Sequence, residues 1–226
     1  MKVKLISYSA PAEGVFEKYS DQPLQDLVAF CARVSNPDNQ YNTETSEKLI
    51  KYLIKHKHWS PLEMASACLE IETTRDIGRQ ILRHRSFSFQ EFSQRYADPT
   101  QELTFCTRDA RLQDTHNRQN SIALDPDNKD HALLDLEWQH RQMEVISATR
   151  NLYKWAIDNG IAKEQARAVL PEGLTMSRMY VNGTIRSWVH YIELRSENGT
   201  QLEHIEIAKA CALAIYKIFP LVGNYK

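Results

Sequence analysis

Residues 83–96 read RHRSFSFQEFSQRY, a stretch dense in cationic and hydroxyl side chains that also holds three phenylalanines. The 226-residue chain as a whole carries 28 Lys and Arg against 29 Asp and Glu, which gives a formal net charge of −1. A chain so close to neutral has no global positive field with which to attract nucleic acid or a membrane surface. The positive charge of this stretch is therefore local, and local charge indicates a binding site.

The second half of the stretch has the pattern of a strand. Phe87 and Phe89 alternate with polar residues, so the rings should be buried on one side and the polar groups displayed on the other. Glu91, Ser93 and Arg95 follow. Arginine forks, serine hydroxyls and backbone N–H groups bind phosphate without a glycine-rich loop, and a carboxylate suits sugar hydroxyls. The chemistry predicts a phosphorylated, hydroxylated ligand, of which a nucleotide is the commonest.

The first half of the stretch is the exit of a predicted helix. Arg75, Arg79 and Arg83 recur every four residues and so share one helix face. For Arg75 and Arg79 we expect an ordinary solvated face. Arg83, His84 and Arg85 follow one another and point in different directions, so at least one of them must face inward or into a cleft.

Hydrophobic periodicity along the rest of the chain predicts a mixture of helices and strands. Strands are predicted at residues 3–9, 66–74, 102–107 and 177–181, and helices at residues 23–35, 47–57, 74–85, 131–160, 163–170, 185–195 and 204–219. Thr45 or Ser46 is expected to cap the second helix, and Gly160 to follow the end of the longest one. The polar segment from Thr107 to Asp130 is expected to be a surface loop or flap, and we assign no function to it.

These elements predict one α+β domain over residues 1–226, with a central antiparallel or mixed sheet flanked by long helices. Cys31, Cys68, Cys106 and Cys211 form no CxxC pair, so we expect reduced thiols, a cytoplasmic protein and no metal site. The N-terminal apolar patch is too short for a signal peptide, and no stretch approaches the length of a membrane span.

Six residues of the opening stretch also carry a family resemblance. Arg83, His84, Arg85, Ser88, Ser93 and Arg95 fit the pattern RHRxxSxxxxSxR, which resembles the signature of the flavin-dependent thymidylate synthases, the ThyX class. Three further segments agree in order: HKHWSPLE at 56–63 resembles the family's HxSPFEH-like segment, QARAVLP at 165–171 resembles ARxxLP, and IRSWVHYIELR at 185–195 resembles RxWxHFxxLR. The resemblance runs from about Val3 to the final helix and leaves no segment for a second domain.

The resemblance implies an activity: the reductive methylation of dUMP to dTMP. Methylenetetrahydrofolate would donate the one-carbon unit, and FAD reduced by NADPH would be the source of the hydride. It also implies a homotetramer in which neighbouring subunits share active sites. The predicted long helix agrees with an oligomer, because it has more apolar surface than one modest domain needs. We expect Trp138, Tyr153 and Trp155 on its buried or inter-helix face.

The same resemblance implies a map of the site. The residues expected to contact FAD are His58, Ser60, Arg83, His84, Arg85, Glu91, Thr184, Ile185, Arg186 and His190. The residues expected to hold dUMP are Gln80, Ile81, Leu82, Arg83, Glu91, Phe92, Ser93, Gln94, Arg95, Arg167 and Arg195. Ser93 and Arg95 are the natural phosphate ligands, through a hydroxyl donor and a bidentate fork. Arg195 has the catalytic role, because a fixed cation at the uracil edge favours ionisation at N3.

The chain departs from the family pattern at two places. Many members have a histidine a few residues after the arginine that corresponds to Arg195, whereas this chain reads SENGTQLE there and has Gly199 at the matching position. No histidine in that loop is therefore assigned a role. Where many members read TGNxR, this chain reads NGTIR, which makes Thr184 a weaker match than Arg186.

Two other functions fit parts of the sequence. A flavoprotein of the same fold could oxidise NADH or NADPH without methylating anything. A domain that binds single-stranded nucleic acid could use the arginines and phenylalanines as a stacking surface. The near-zero net charge and the confinement of these residues to one segment argue against nucleic acid.

Overall fold

The centre of the fold is a four-stranded sheet. The computed structural model of the protein describes residues 1–16 and 23–222. The strand order is β1-β2-β6-β3, with β1 at Lys2–Tyr8, β2 at Ser66–Thr74, β3 at Phe87–Glu91 and β6 at Met176–Thr184. All three pairings are antiparallel. A separate hairpin pairs β4 at Arg111–Gln113 with β5 at Ser121–Ala123. The predicted α+β fold with a central antiparallel sheet is confirmed.

The described part of the chain contains eight helices. They are α1 at Pro23–Ala32, α2 at Ser46–Lys55, α3 at Arg75–Ile81, α4 at Pro99–Glu102, α5 at Lys129–Asp158, α6 at Lys163–Ala166, α7 at Ile185–Ser196 and α8 at Leu202–Tyr216. Short 3₁₀ turns lie at Pro37–Asn39, Ser60–Glu63, Arg167–Val169 and Pro220–Val222. The main core joins the inner face of β2 and β6 to α1, α2, α7 and α8. Each fully buried aliphatic or aromatic side chain there contributes about 1.5–3 kcal/mol.

The alternation of β2 shows why this core forms. Ala67, Leu69 and Ile71 are buried, and the residues between them are only partly covered. Trp188 of α7 is fully buried against this strand, and its indole N–H donates to the carbonyl of Ala67 at 3.0 Å. A buried tryptophan N–H needs such a partner. This contact sets α7 across the sheet, and α7 carries several of the predicted site residues.

The opening stretch of the sequence is anchored to the sheet by Phe87. Phe87 pairs with Gly183 of β6, and its ring lies 4.5 Å from that of Trp188, between centroids. A Cβ at Gly183 would lie 2.3 Å from a Phe87 ring carbon, so only glycine lets the ring lie flat over the neighbouring strand. Phe87 is buried and Phe89 is half-buried, as the alternation predicts.

The long helix α5 ends at its expected signal, Gly160, and begins two residues before the predicted start. The Asn128 side chain accepts from the N–H groups of Asp130 and His131, at 2.9 and 3.4 Å. After the last turn Gly160 takes a left-handed conformation with φ of 76°. Tyr153 is buried, but Trp138 and Trp155 are 45% and 57% exposed. The prediction of a buried face is right for Tyr153 and wrong for the two tryptophans within a single chain.

Other sequence predictions need correction. Residues 102–107 do not form a strand: α4 ends at Glu102, and Phe105 makes one isolated bridge to Thr175. Asp98 accepts from the Thr100 N–H at 2.8 Å, and Pro99 is preset for a helix start, so the chain is helical there. The predicted helix at residues 74–85 ends at Ile81, and the segment expected to be a loop from residue 107 to 130 contains the β4–β5 hairpin.

The start of α2 differs from its prediction. Thr45 does precede α2, but its hydroxyl accepts from the guanidinium of Arg33 at 2.8 Å and caps no helix N–H. In the part of the chain that the structure describes, no helix is both long enough and apolar enough to cross a bilayer.

Candidate active site

The turn after α3 contains Arg83, His84 and Arg85, and their side chains point in different directions, as expected for three consecutive residues. The N–H groups of Arg83 and His84 donate to the carbonyls of Gln80 and Ile81, at 3.3 and 3.0 Å. Arg83 and Arg85 are exposed, and His84 is half-buried. His84 is therefore the member of the triplet that faces inward.

His84 meets the predicted catalytic arginine. The Nε of Arg195, in the last turn of α7, donates to Nε2 of His84 at 2.9 Å. Burial lowers the pKa of His84 to about 4, and the charge of Arg195 adds to the effect. The imidazole is consequently neutral at physiological pH, with its proton on Nδ1, and Nε2 is free to accept. The tertiary fold thus joins two predicted site residues that lie 111 positions apart.

A second histidine lies beside the first, and the sequence analysis gave it no role. His204 of α8 is fully buried, and its pKa is lowered to about 3 by burial, with further contributions from Arg195 and His84. Its two ring nitrogens lie 3.1 Å from the Oε1 of Gln80 and 3.1 Å from the hydroxyl of Tyr191. The sequence signal was available, because a histidine on the apolar face of a buried helix needs polar partners.

Glu91 is held by the fold. Its Oε1 accepts from the Ser177 hydroxyl at 2.9 Å and from a guanidinium nitrogen of Arg75 at 3.4 Å. Arg75 is buried, so the expectation of a solvated face is wrong for Arg75. It is right for Arg79, which is exposed and pairs with Glu172 at 3.1 Å. The cause is position: Arg75 is the first residue of a short helix that leaves the sheet directly.

The predicted phosphate ligands lie against α6. The Phe92 N–H donates to the carbonyl of Arg178 at 2.8 Å, which ends the pairing of β3 with β6. Arg95 pairs with Glu164 at 3.3 Å, and Lys163 donates to the carbonyl of Tyr96 at 3.0 Å. Arg167 is exposed one turn after Glu164. Arg95 therefore lies beside the helix that precedes Arg167, and Lys163 of that helix is a nearby cation that sequence reasoning missed.

Gln94 has an unsatisfied donor in this segment. The residue is 4% exposed, and its amide nitrogen has no hydrogen-bond partner among the described residues. Leaving a buried donor unpaired costs about 1–3 kcal/mol. Such a group is typical of a site whose partner is a ligand or another chain.

The remaining residues predicted to contact FAD lie at the opposite end of α7. His190 packs edge-on against Trp59, with ring centroids 4.5 Å apart, and Arg186 pairs with Glu63. This places them beside the turn that carries His58 and Ser60. Arg186 and Arg195 are nine residues apart on the helix, or roughly 13 Å along its axis. Within one chain, the residues predicted for FAD thus form two groups.

Three of the predicted contact residues have limited side-chain access. Ile81 and Ile185 are buried in the core, so only their backbone can meet a ligand. Thr184 caps α7, and its hydroxyl accepts from the N–H of Ser187 at 3.2 Å. These residues shape the site through the main chain and the helix start.

A cleft between α1 and α2 lies beside His58, and the sequence analysis did not find it. It has a volume of about 520 Å³, and its lining includes Arg33, Lys48 and Tyr52. The Tyr52 ring lies 6.0 Å from that of His58, between centroids. Two cations and an aromatic face suit a ligand with phosphates and a flat ring.

Within residues 1–16 and 23–222, no group of three or more His, Cys, Asp or Glu side chains is arranged to hold a metal ion.

Comparison with known families gives a match over most of the chain. The family model of Thy1, thymidylate synthase complementing protein, matches residues 18–221. The chain is 47% identical over 225 residues to a probable flavin-dependent thymidylate synthase of Paramecium bursaria Chlorella virus 1, covering 99% of this chain and 98% of the relative. It is 44% identical over 224 residues to a flavin-dependent thymidylate synthase of Synechocystis sp., with the same coverage of each.

Solved structures agree with the fold. A UMP/dUMP methylase, PolB, from Streptomyces cacaoi, crystallised with 5-Br UMP, superposes with a TM-score of 0.77 at 26% identity. The superposition covers 99% of this chain and 92% of that one. The same enzyme with 5-Br dUMP gives a TM-score of 0.77 at 24% identity, over 99% and 93% of the two chains.

Proposed function

This chain belongs to the family of the flavin-dependent thymidylate synthases, and on that premise we propose that it methylates dUMP to make dTMP. One observation carries the proposal for this chain's own site. The RHR turn and Arg195, which come from distant segments, meet in the His84–Arg195 hydrogen bond of 2.9 Å. The Streptomyces relative was crystallised with brominated UMP and dUMP, which supports a uridine nucleotide as the ligand class.

The nucleotide phosphate is proposed to bind beside α6. Ser93 offers a hydroxyl, and Arg95, Lys163 and Arg167 offer positive charge on one exposed surface. A dianionic phosphate would compete with Glu164 for Arg95, and this pair is exposed and therefore weak. The unpaired amide of Gln94 supports a ligand in the same segment.

The role proposed for Arg195 is electrostatic. His84 accepts from Arg195 and so holds the guanidinium in one direction. Because His84 is neutral, this hydrogen bond does not offset the positive charge of Arg195. A fixed cation costs no reorganisation when negative charge develops on a uracil ring next to it. Gln80, Ile81, Leu82, Arg83, Glu91 and Phe92 complete the proposed nucleotide site.

FAD is the proposed cofactor, and the residues fit it in two places. The first group is His58, Ser60, Thr184, Ile185, Arg186 and His190, and the cleft with Arg33, Lys48 and Tyr52 lies beside His58. The second group is Arg83, His84, Arg85 and Glu91, of which His84 accepts from Arg195. When bound, FAD reduced by NADPH would supply the hydride, and methylenetetrahydrofolate would supply the one-carbon unit.

A homotetramer with shared active sites is proposed as the functional form. The exposed apolar side chains of α5 support it, and they are Leu133, Leu134, Leu136, Trp138, Met143, Val145, Leu152 and Trp155. Large apolar side chains exposed in this number on one helix are typical of an interaction site on a folded protein. The separation of the two predicted FAD groups along α7 also supports a site completed by a second subunit. The four free cysteines support the proposed cytoplasmic location.

Tritium release tests the synthase proposal directly. FAD-loaded protein, supplied with NADPH and dUMP labelled with tritium at C5, should release tritium only when methylenetetrahydrofolate is present. Oxidation of NADPH with no tritium release would contradict the proposal and favour the oxidase alternative. Salt-sensitive binding of oligonucleotides with no bound flavin would favour a nucleic-acid-binding domain instead.

A further inference from the structure

A partly buried ion pair joins the β4–β5 hairpin to α8. The guanidinium of Arg111 donates to Oε1 of Glu203 at 2.6 Å, and the Glu203 side chain is 7% exposed. The other oxygen, Oε2, accepts from the amide nitrogen of Gln201 at 2.9 Å. Burial alone would raise the pKa of Glu203, but hydrogen bonds from its own backbone N–H, Arg111 and Gln201 outweigh it and lower the pKa. Glu203 is therefore an ionised carboxylate at neutral pH.

Hydrogen bonds continue from this pair to the proposed nucleotide site. The amide nitrogen of Gln80 donates to Oε1 of Gln201 at 2.8 Å. Oε1 of Gln80 lies 3.1 Å from Nδ1 of His204, whose Nε2 lies 3.1 Å from the Tyr191 hydroxyl. His204 and Tyr191 are both buried, so water has little access to this end of the chain of bonds.

The carboxylate sets the direction of every bond in the chain. An ionised carboxylate can only accept, so Gln201 must present its amide nitrogen to Glu203 and its oxygen to Gln80. Gln80 must then present its nitrogen to Gln201 and its oxygen to His204. It follows that His204 carries its proton on Nδ1 and accepts from Tyr191 at Nε2.

We propose that Glu203 is a positioning residue for the nucleotide site, which holds the side-chain amide of Gln80 in one orientation through Gln201. This inference rests on the proposed function, in which Gln80 contacts dUMP. With its orientation set, Gln80 keeps one N–H donor and one carbonyl lone pair for a ligand. A flipped amide would exchange the two, and a site built to hydrogen-bond a polar ligand loses affinity when donor and acceptor are exchanged.

The proposal also gives the β4–β5 hairpin a role. Arg111 is the residue of β4 that holds Glu203. A second arginine of the same segment, Arg108, pairs with Asp76 at 2.7 Å and also attaches the segment to the body. These two pairs offer a matched comparison, because only the first is connected to Gln80.

The test measures dUMP binding to FAD-loaded protein by calorimetry. Glu203→Gln removes the acceptor-only group, and we expect dUMP to bind ~10-fold more weakly. The double variant Q201E/E203Q puts a carboxylate next to Gln80 and an amide at position 203. The new carboxylate can only accept from Gln80, so the direction of the hydrogen bonds is restored. We expect an affinity for dUMP within about threefold of the wild type. Asp76→Asn should leave dUMP binding unchanged. Equal binding by wild type and Glu203→Gln, or no recovery in the double variant, would overturn the proposal.

A second variant and a second readout keep the test decisive. If Glu203→Gln does not fold, Gln201→Leu breaks the chain of bonds and leaves the hydrogen bond from Arg111 to Glu203 in place, and it should weaken dUMP binding to the same extent. Imidazole ¹⁵N NMR should show His204 protonated only at Nδ1 in the wild type and as a mixture of tautomers in Glu203→Gln. A mixture in the wild type would overturn the proposal. If the wild type binds no dUMP, the proposed function fails, and the NMR result still decides whether Glu203 sets the direction.

Discussion

At the scale of single residues, the site depends on which groups carry charge. His84 and His204 are kept neutral by burial beside the cation Arg195, whereas Glu203 stays ionised because it gains several hydrogen bonds. Desolvation acts on all three groups, but only the carboxylate has enough donors to remain charged. Arg195 is thus a cation that faces two neutral imidazole rings.

Single substitutions should separate the two ligands. Arg95→Ala should weaken dUMP binding about 10- to 100-fold, since a charged hydrogen bond to phosphate is lost, and leave FAD retention nearly intact. His58→Ala should do the reverse. Calorimetry with dUMP and flavin absorbance after gel filtration measure the two effects.

A matched control exists for the arginine. Arg79 forms an exposed ion pair with Glu172, much as Arg95 does with Glu164. Arg79→Ala should therefore have little effect on dUMP binding. Loss of both ligands to the same extent in Arg95→Ala and His58→Ala would show that the proposed division of roles is wrong.

The two neutral histidines should make stability depend on pH. Their pKa values in the folded protein, about 4 for His84 and about 3 for His204, lie below the ordinary value of 6.5. Below pH 6.5 the unfolded chain therefore binds protons that the folded chain does not, which favours unfolding. We expect the free energy of unfolding to fall as the pH drops from 6.5 towards 4. Arg195 faces both rings and adds repulsion once either is protonated.

Urea unfolding between pH 7 and pH 4.5 measures this dependence. His204→Asn should show a shallower decline than the wild type, because one of the two groups is gone. His140→Gln is the control, since His140 is exposed, and it should keep the wild-type slope. An unchanged slope in His204→Asn would count against the burial-based explanation.

At the scale of elements, close packing of β3 on β6 positions residues 92–96, which include the proposed phosphate ligands. Phe87 lies over Gly183, and the strand pairing continues from there to Glu91, where the proposed phosphate ligands begin. The segment after Glu91 therefore inherits its position from the register of two strands. A shift of that register by one residue would turn Phe87 away from the core.

Gly183→Ala should destabilise the protein. The new Cβ would lie 2.3 Å from the Phe87 ring, and overpacking of a core costs about 1–3 kcal/mol. Urea unfolding should show this loss, with a smaller effect if Phe87 is shortened to leucine in the same chain. Gly173→Ala is the control, because no atom lies within 4 Å of its Cβ position, and equal stability of the two variants would contradict the packing argument.

At the scale of the whole molecule, α5 presents more apolar surface than a single chain covers. Tyr153 and Ala156 of this helix pack in a small cluster with Ala166 and Leu170, and Ile146 is also buried. Many of its other apolar side chains are exposed. Trp138 and Trp155 are among them. In the proposed tetramer these side chains would be buried between subunits, as apolar residues are in the core of an interface.

Leu152→Glu should disrupt the proposed tetramer. Leu152 is 48% exposed in one chain, and a charge there would be buried without a partner in an interface. Sedimentation velocity should show a smaller species than the wild type. Asn151→Glu, at the adjacent exposed position, should sediment as the wild type does. A wild-type protein that sediments as a monomer would contradict the proposal itself.

The sequence by itself determined most of the secondary structure and the family. Strand β2 follows from strict alternation, and α5 from its periodicity and Gly160, because these signals are local. The RHRxxSxxxxSxR spacing likewise identified the family, because the spacing of a motif can be read from one sequence without the structure. The missed elements had competing local signals: α4 depends on the Asp98 cap, and α3 ends early at a turn that no breaker residue marks.

Tertiary structure alone decided which groups meet. Arg75 is paired with Glu91, His204 joins Gln80 to Tyr191, and Lys163 lies beside the predicted phosphate ligands, although these partners are distant in sequence. Burial sets the charge of both histidines, and burial is a property of the packed molecule. A sequence names the groups and their chemistry, whereas protonation and hydrogen-bond direction depend on neighbours that only the fold brings within about 3 Å.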